Sequence, residues 1–320
     1  MSQTKQEVLK YLKSESAILS GSELAERLNV SRTAIWKAVK ELQKEGYTIE
    51  SGPKGYRYQQ SDIIDPQEII AKLARPLRVK WQEASPSTME DAKAGALAGD
   101  PDFTLYIADN QIAARGRFHR PFFAVAKKGI YMSLLLRPNQ NFTELPQYTV
   151  LAAVAVAQAI DAVQPAPTTI KWVNDIFLNG KKVCGILSEA VSDVESGEIS
   201  QVVIGIGLNF SIAQQDFPAE LRERVTSVFA NGKAPITRNE MIARIWQNFE
   251  KMLADLPDTH YLEVYREKSN VLGQTVSYTR GGKHFTGKAV AINDLGELIV
   301  QTAEGEQTLR SGEISLDKKS

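Results

Sequence analysis

The chain has 320 residues, with 38 Lys and Arg against 38 Asp and Glu and a formal net charge of zero, which excludes attraction of the whole protein to polyanions and leaves only a local patch for such binding. One cysteine, Cys184, excludes an intrachain disulfide and fits a reducing cytoplasm, and the longest apolar run, Val150 to Ala157, is too short to span a bilayer. The length suits two or three domains, and the polar start, Met1-Ser2-Gln3-Thr4, carries no apolar signal core.

Residues 1–60 read as a helical module with a hairpin. Val8, Leu9 and Leu12 keep helical spacing in a first helix that ends near Ser14. Ser20-Gly21-Ser22-Glu23 is a capping box that opens a second helix. Asn29-Val30 breaks it, and Ser31 caps a third. There Ala34, Ile35, Ala38, Val39 and Leu42 make an apolar stripe, while Arg32, Thr33, Trp36, Lys37 and Lys40 lie off it. Two short helices around a tight turn, the second with a basic outer face, match a helix-turn-helix. Tyr47 to Glu50 and Tyr56 to Tyr58 alternate about a Ser51-to-Gly55 turn, adding a wing. The segment carries ten Lys and Arg against seven Asp and Glu, so it suits DNA, with a protein-binding or vestigial module as the other reading.

Residues 61–270 follow a short linker, Gln59 to Asp62. Asp65-Pro66-Gln67-Glu68 starts a helix that stops before Pro76. A strand over 79–83 leads to Ser87-Thr88 at the start of a helix of about ten residues. These hydroxyls serve as N-caps, with Ser87 and Glu90 as a second capping box, or as donors to a polar ligand. After a strand over 103–108 comes the loop Gln111 to Pro121, in a window from Asn110 to Thr143 free of Asp and Glu but holding Arg115, Arg117, Arg120, Lys127, Lys128 and Arg137. Gly116 within it would let backbone N–H groups approach closely. Such a loop suits phosphate or carboxylate, or is solvated surface.

A buried strand over 130–136 and an apolar helix from Leu145 to Val163 come next. Lys171-Trp172-Val173-Asn174-Asp175 then precedes two apolar runs joined by Asn179-Gly180, a hairpin signal. Gly185, Gly205 and Gly207 lie within strands, where glycine marks close approach of a ligand or backbone. Two helices follow Thr237. The pattern predicts a mixed sheet with helices on one face. No phosphate-binding Walker loop, dinucleotide fingerprint or Cys/His zinc cluster is present. Short strands over 276–279, 285–292, 298–302 and 307–309 predict a small SH3-like barrel in residues 271–320.

In this order the motifs resemble those of bifunctional biotin protein ligases that also repress biotin operons. The resemblance spans nearly the whole chain and rests on the winged helix, Ser87-Thr88, Gln111 with Arg115-Gly116-Arg117, Lys171-Trp172-x-Asn174-Asp175, Lys182 to Gly185, Ile206-Gly207-x-Asn209 and the closing Gly312-Glu313-Ile314. It implies an α+β multidomain fold: a winged helix-turn-helix over 1–60, a mixed-sheet catalytic domain of the biotin/lipoate ligase type over 61–270, and the small barrel over 271–320.

The resemblance implies that ATP activates biotin to biotinyl-5′-AMP with Mg²⁺ present. Biotin then passes to a lysine of a biotin carboxyl carrier protein domain. Ser87, Thr88 and Gln111 would bind the ureido end of biotin. Arg115, Gly116 and Arg117 would close on carboxylate and phosphate, and Lys182 would reach the same charges unless it is an ordinary hairpin lysine. Gly185 would leave room for the ring. Asn174, Asp175 and Asn209 would lie near nucleotide or metal unless they only form turns, and no protein residue is assigned as a dedicated metal ligand. Trp172 reads as core. Arg32, Thr33, Trp36, Lys37 and Lys40 would face operator DNA, with a homodimer as the binding form and no membrane partner. Met89, Ala114, Phe118, His119 and Phe122 depart from the usual pattern around the site. A lipoate-type ligase and a metabolite-sensing regulator without ligase activity are the alternatives. The winged helix and barrel disfavour the first, and the retained Arg115, Arg117 and Lys182 disfavour the second.

Overall fold

The structure, a computed structural model, describes residues 3–15, 17–59, 61–75, 77–137, 145–192, 199–310, 312 and 314–316. Gln60 of the expected linker, Pro76 as the expected helix stop and Glu313 of the closing motif lie outside these residues. Two units form, residues 1–64 with 237–239 and residues 65–236 with 240–320.

The first unit is built from α1 (Gln3–Ser14), α2 (Gly21–Arg27), α3 (Arg32–Lys44) and a hairpin of β1 (Ile49–Gly52) and β2 (Gly55–Tyr58). Ser31 Oγ accepts the Ala34 N–H, and Ser20 Oγ accepts the Glu23 N–H. The capping box is only half made, because the Glu23 carboxylate pairs with Arg27 at 2.7 Å. Ile35, Ala38, Val39 and Leu42 enter a core with Val8, Leu9, Leu12 and Leu24. Arg32, Thr33, Trp36, Lys37 and Lys40 remain exposed, as the stripe predicts. Gly46, at φ 99°, closes α3 with Tyr47 N–H on Leu42 C=O and its own N–H on Gln43 C=O. Tyr47 is thereby spent on the helix end, so the hairpin starts at Ile49 and the turn tightens to Pro53-Lys54.

The second unit begins with α4 (Pro66–Ile70), where Asp65 caps the Gln67 N–H. It ends earlier than expected, because Lys72 and Leu73 donate three residues back, to Ile69 and Ile70, and wind the chain into a turn. There follow β3 (Arg78–Ser85), α5 (Thr88–Leu97), β4 (Thr104–Gln111), β5 (Gly129–Leu136), α6 (Leu145–Asp161), β6 (Thr169–Lys171), β7 (Asp175–Leu178), β8 (Lys181–Ser192) and β9 (Ile199–Asn209). The helices α7 (Arg238–Ala254) and α8 (His260–Lys268) come next. The seven strands form one mixed sheet in the order β3-β4-β5-β9-β8-β7-β6, with β3 parallel to β4 and every other neighbour antiparallel.

The expectation of helices on one face is corrected by the register. A side chain added at Gly205 would meet Met89 of α5, whereas Thr149 of α6 bonds Ser188, the partner of Ile204. Successive residues of a strand face opposite ways, so α5 and α6 cover opposite faces. The nearly continuous apolar sequence of β5 and α6 already requires burial on all sides.

The last strands, β10 (Thr275–Arg280), β11 (Lys283–Ile292), β12 (Leu298–Thr302), β13 (Gly305–Leu309) and β14 (Ile314–Leu316), form an antiparallel sheet ordered β13-β12-β11-β10-β14. The predicted short strands are all present, joined in one five-stranded sheet. Trp172, 3 % exposed, donates its indole N–H to Gly296 C=O at 2.9 Å and so ties the seven-stranded sheet to this module. It is core, as read from the sequence.

Candidate active site

The site is assembled at one end of the central strands, on the face that carries α5. Gln111 pairs with Ser85 across β4 and β3, which brings its amide beside the start of α5. Gln111 Oε1 accepts the Thr88 N–H at 2.8 Å and the Thr88 hydroxyl at 3.3 Å. Thr88, 2 % exposed, also shares a 2.8 Å hydrogen bond with Ser133 of β5. Ser87 stands at the N-cap of α5, but its side chain makes no cap hydrogen bond, and Glu90 pairs with Lys93 instead. The second capping box is therefore absent, and the Ser87 hydroxyl is not consumed by the helix. Ser133 was not singled out from the sequence, although a lone serine inside the apolar strand β5 was a signal that a polar group is needed there.

Across the sheet, Gly185 pairs with Gly207 and Leu187 with Gly205, so all three glycines open onto this face. Each gap is used. A Cβ at Gly185 would lie 3.3 Å from Lys182 Nζ, one at Gly205 2.5 Å from Met89 Sδ, and one at Gly207 2.7 Å from the Phe122 ring. Met89 and Phe122, two of the departures from the family pattern, thus lie over the glycine floor. Phe122 also stands edge-on to Tyr131 at 6.1 Å. The Tyr131 hydroxyl accepts the Val125 N–H at 2.7 Å and donates to its C=O, fixing the chain that leads out of the basic loop.

Four of the expected groups converge at the far side of this floor. Lys182 Nζ lies 2.6 Å from Asp175 Oδ1, an ion pair approached off the hydrogen-bonding axis. An Arg117 Nη1–H reaches Asn174 Oδ1 at 3.3 Å. The amide of Asn174 donates to Ile186 C=O at 2.7 Å, so this residue both staples the β6–β7 turn to β8 and presents its oxygen to Arg117. Lys182 is more than an ordinary hairpin lysine. Its N–H donates to Arg224 C=O and its C=O accepts from Thr226, which holds its backbone from a segment that sequence reading did not connect to it. Beneath, Tyr265 donates to Val173 C=O, and burial first and the Asp175 carboxylate second push its phenol pKa up, so it stays a donor. Burial also pushes the Cys184 thiol up, which leaves it unreactive.

Asn209 is 7 % exposed, donates to Thr226 C=O at 2.9 Å and keeps a buried Oδ1 without a hydrogen-bond partner among the described residues. Arg115 is exposed and is not drawn into the Arg117 cluster. The loop closes on itself: Gly116 N–H donates to Arg120 C=O and Phe122 N–H to Ala114 C=O. Gly116 has φ −91° and a Cβ there would make only an ordinary 3.9 Å contact with Arg120 O, and its N–H is engaged within the loop rather than aimed at an anion. The positive φ values fall instead on Phe118 and His119, at 56° and 57°. Ile112 and Phe118 are exposed, 72 % and 61 %. The arrangement offers polar groups at one end, an apolar floor, and cations with an amide oxygen at the other.

Known families match along the chain: an HTH domain over residues 4–57, the biotin/lipoate A/B protein ligase family over 86–209 and the biotin protein ligase C terminal domain over 271–317. The chain is 36 % identical to the bifunctional ligase/repressor BirA of Bacillus spizizenii, covering 94 % of each. It is 30 % identical to the biotin–[acetyl-CoA-carboxylase] ligase of Mycobacterium tuberculosis, over 71 % of this chain and 85 % of that one. Among solved structures, the biotin protein ligase of Aquifex aeolicus in complex with biotin and ATP superposes with a TM-score of 0.61 at 28 % identity, over 75 % of this chain and 98 % of that one.

Proposed function

The chain belongs to the family of bifunctional biotin ligase/repressors, and from that membership we propose how its residues divide the work. It is a biotin protein ligase with a DNA-binding repressor module. Residues 1–60 form the DNA-binding domain, 61–270 the domain for biotin and ATP, and 271–320 the terminal domain. The work is done in the cytoplasm by a homodimer.

Ligation runs in two steps. A biotin carboxylate oxygen attacks the α-phosphorus of ATP, forming biotinyl-5′-AMP and releasing pyrophosphate. The amine of a carrier-domain lysine then attacks the acyl carbon, and AMP leaves as the amide forms. The observation that carries the reading is the single face joining the Ser87, Thr88 and Gln111 hydrogen-bonding end to the Arg117, Lys182 and Asn174 end across Gly185 and Gly207. Ser87, Thr88 and Gln111 bind the ureido ring. The glycine floor takes the bicyclic ring once Phe122 and Lys182 move aside. Lys182 turns from Asp175 to the charge that develops on carboxylate and α-phosphate, where a preorganised cation is most effective. Arg117 retains the adenylate, and Arg115 and Gly116 join it only when the loop closes and excludes water.

Mg²⁺ takes oxygen ligands and reaches such sites largely through ATP phosphates. The Asp175 carboxylate and the unpartnered Asn209 Oδ1 are the oxygens here that fit it, and the ion would neutralise phosphate charge. The carrier lysine belongs to a biotin-dependent carboxylase. Incubation with biotin, ATP and Mg²⁺ but no carrier should give protein-bound biotinyl-5′-AMP by native mass spectrometry. Active-site protein that yields only biotin and ATP would refute the adenylation assignment. For the repressor half, Arg32, Thr33, Trp36, Lys37 and Lys40 face operator DNA. A gel shift on biotin-operon promoter DNA with and without biotin and ATP tests it, and no shift under either condition rules it out.

A further inference from the structure

In the first unit a groove of about 570 Å³ runs between the wing and the start of α3, lined by Arg32, Thr33, Trp36 and Lys54 with Ser22 and Tyr56. Its lining holds no Asp or Glu. Arg32 and Lys54 have no ion-pair partner among the described residues, whereas on the same unit Lys5, Arg27 and Arg57 are each paired with a glutamate. A concave, acid-free surface with unneutralised cations and hydroxyls is complementary to a phosphodiester backbone.

Trp36 does not fit that account by itself. It is 52 % exposed, while Ile35, Ala38, Val39 and Leu42 supply the core side of the helix. Of its four helical neighbours at three and four residues, Arg32, Thr33 and Lys40 are exposed, and Val39 turns into the core. The module therefore keeps a large apolar side chain in water at the centre of a cationic face, one turn into the helix, where recognition helices meet base edges. In the major groove the one apolar group at a base edge is the C5 methyl of thymine.

We propose that the wing–α3 groove grips one strand of duplex DNA and that Trp36 reads a thymine methyl in the adjoining major groove. This rests on the operator-binding reading above. Arg32 and Lys54 hold the backbone in register and supply the salt-dependent part of binding. Trp36 supplies a sequence-dependent part that salt does not touch.

The test uses the full chain with biotin and ATP, and a duplex selected from a random library, with each thymine replaced singly by deoxyuridine. For the parent protein, one thymine position should lose about fourfold in affinity, the worth of one buried methyl-sized group. In Trp36→Ala that position should become insensitive, with an unchanged salt slope and an unchanged thermal unfolding midpoint. Lys54→Ala should instead lower the slope by about one counterion and keep the thymine effect. A bound duplex with no methyl-sensitive thymine, or one equally sensitive in Trp36→Ala, overturns this inference alone. Failure to bind any selected duplex overturns both it and the operator-binding reading.

Discussion

Gly207→Ala isolates the role of the glycine floor. The residue lies in extended backbone paired with Gly185 and Tyr131, so only space decides the outcome. The added methyl would sit 2.7, 3.0 and 3.1 Å from three carbons of the Phe122 ring. Ordinary carbon contacts are about 3.5–4.0 Å, so the ring must withdraw by about 1 Å. It is held edge-on to Tyr131, and that displacement should cost about 1–3 kcal/mol, typical of overpacking. The thermal midpoint should fall by about 3–9 °C for a unit of this size. In a Phe122→Ala background the same methyl meets no ring, and the cost should drop below about 0.5 kcal/mol, leaving a clear coupling energy. Biotin affinity, read by calorimetry, should fall about tenfold in both backgrounds, since the methyl takes space proposed for the ligand ring. Equal destabilisation in the two backgrounds would refute the contact, and undiminished biotin affinity would refute the floor.

Thr88→Val keeps shape but leaves the buried Ser133 hydroxyl without its partner, so stability should fall by about 1–3 kcal/mol and biotin should bind more weakly in calorimetry. Arg117→Ala should release biotinyl-5′-AMP and label bystander lysines, whereas retained adenylate in a gel-filtration assay would contradict its role. Trp172→Phe should lower the unfolding midpoint through loss of the bond to Gly296 while leaving the biotin KM unchanged. Burial pushes the Tyr261 phenol up to about 12 from an ordinary 10. The folded state therefore holds its proton more tightly, and that stability, present below pH 10, is lost as pH rises towards 12. Urea unfolding of Tyr261→Phe between pH 10 and 12 should show a shallower decline, by one proton, than the parent.

Local chemistry made much of this fold legible. Ser31 and Asp65 cap their helices as polar residues before apolar periodicity should. Asn179 and Gly180 adopt the positive φ values, 51° and 74°, that a two-residue hairpin turn demands. The order of Ser87-Thr88, Gln111 and Lys182 was enough to list candidates for one site. What stayed hidden depends on partners far apart in sequence. Glu23 and Glu90 are the local exceptions, pairing with Arg27 and Lys93 within one helical turn instead of completing capping boxes. Met89 and Phe122 stand out in the sequence only as departures near the site, and the register of β8 and β9 is what places glycines beneath them. Ser133 acquires meaning only through Thr88, 45 residues away. Arg115 and Arg117 are indistinguishable in a basic loop, yet the fold turns one to Asn174 and leaves the other exposed.

ATP-driven transfer of biotin to a carrier lysine is measured directly by an avidin blot. The protein is incubated with biotin, ATP, Mg²⁺ and a biotin carboxyl carrier domain, beside controls lacking ATP or carrying Lys182→Ala. The expected result is an ATP-dependent band at the carrier, with the rate reduced about 10²–10³-fold in the variant. A blank blot from protein that binds biotin and ATP, or a band of equal strength without ATP, would contradict the account.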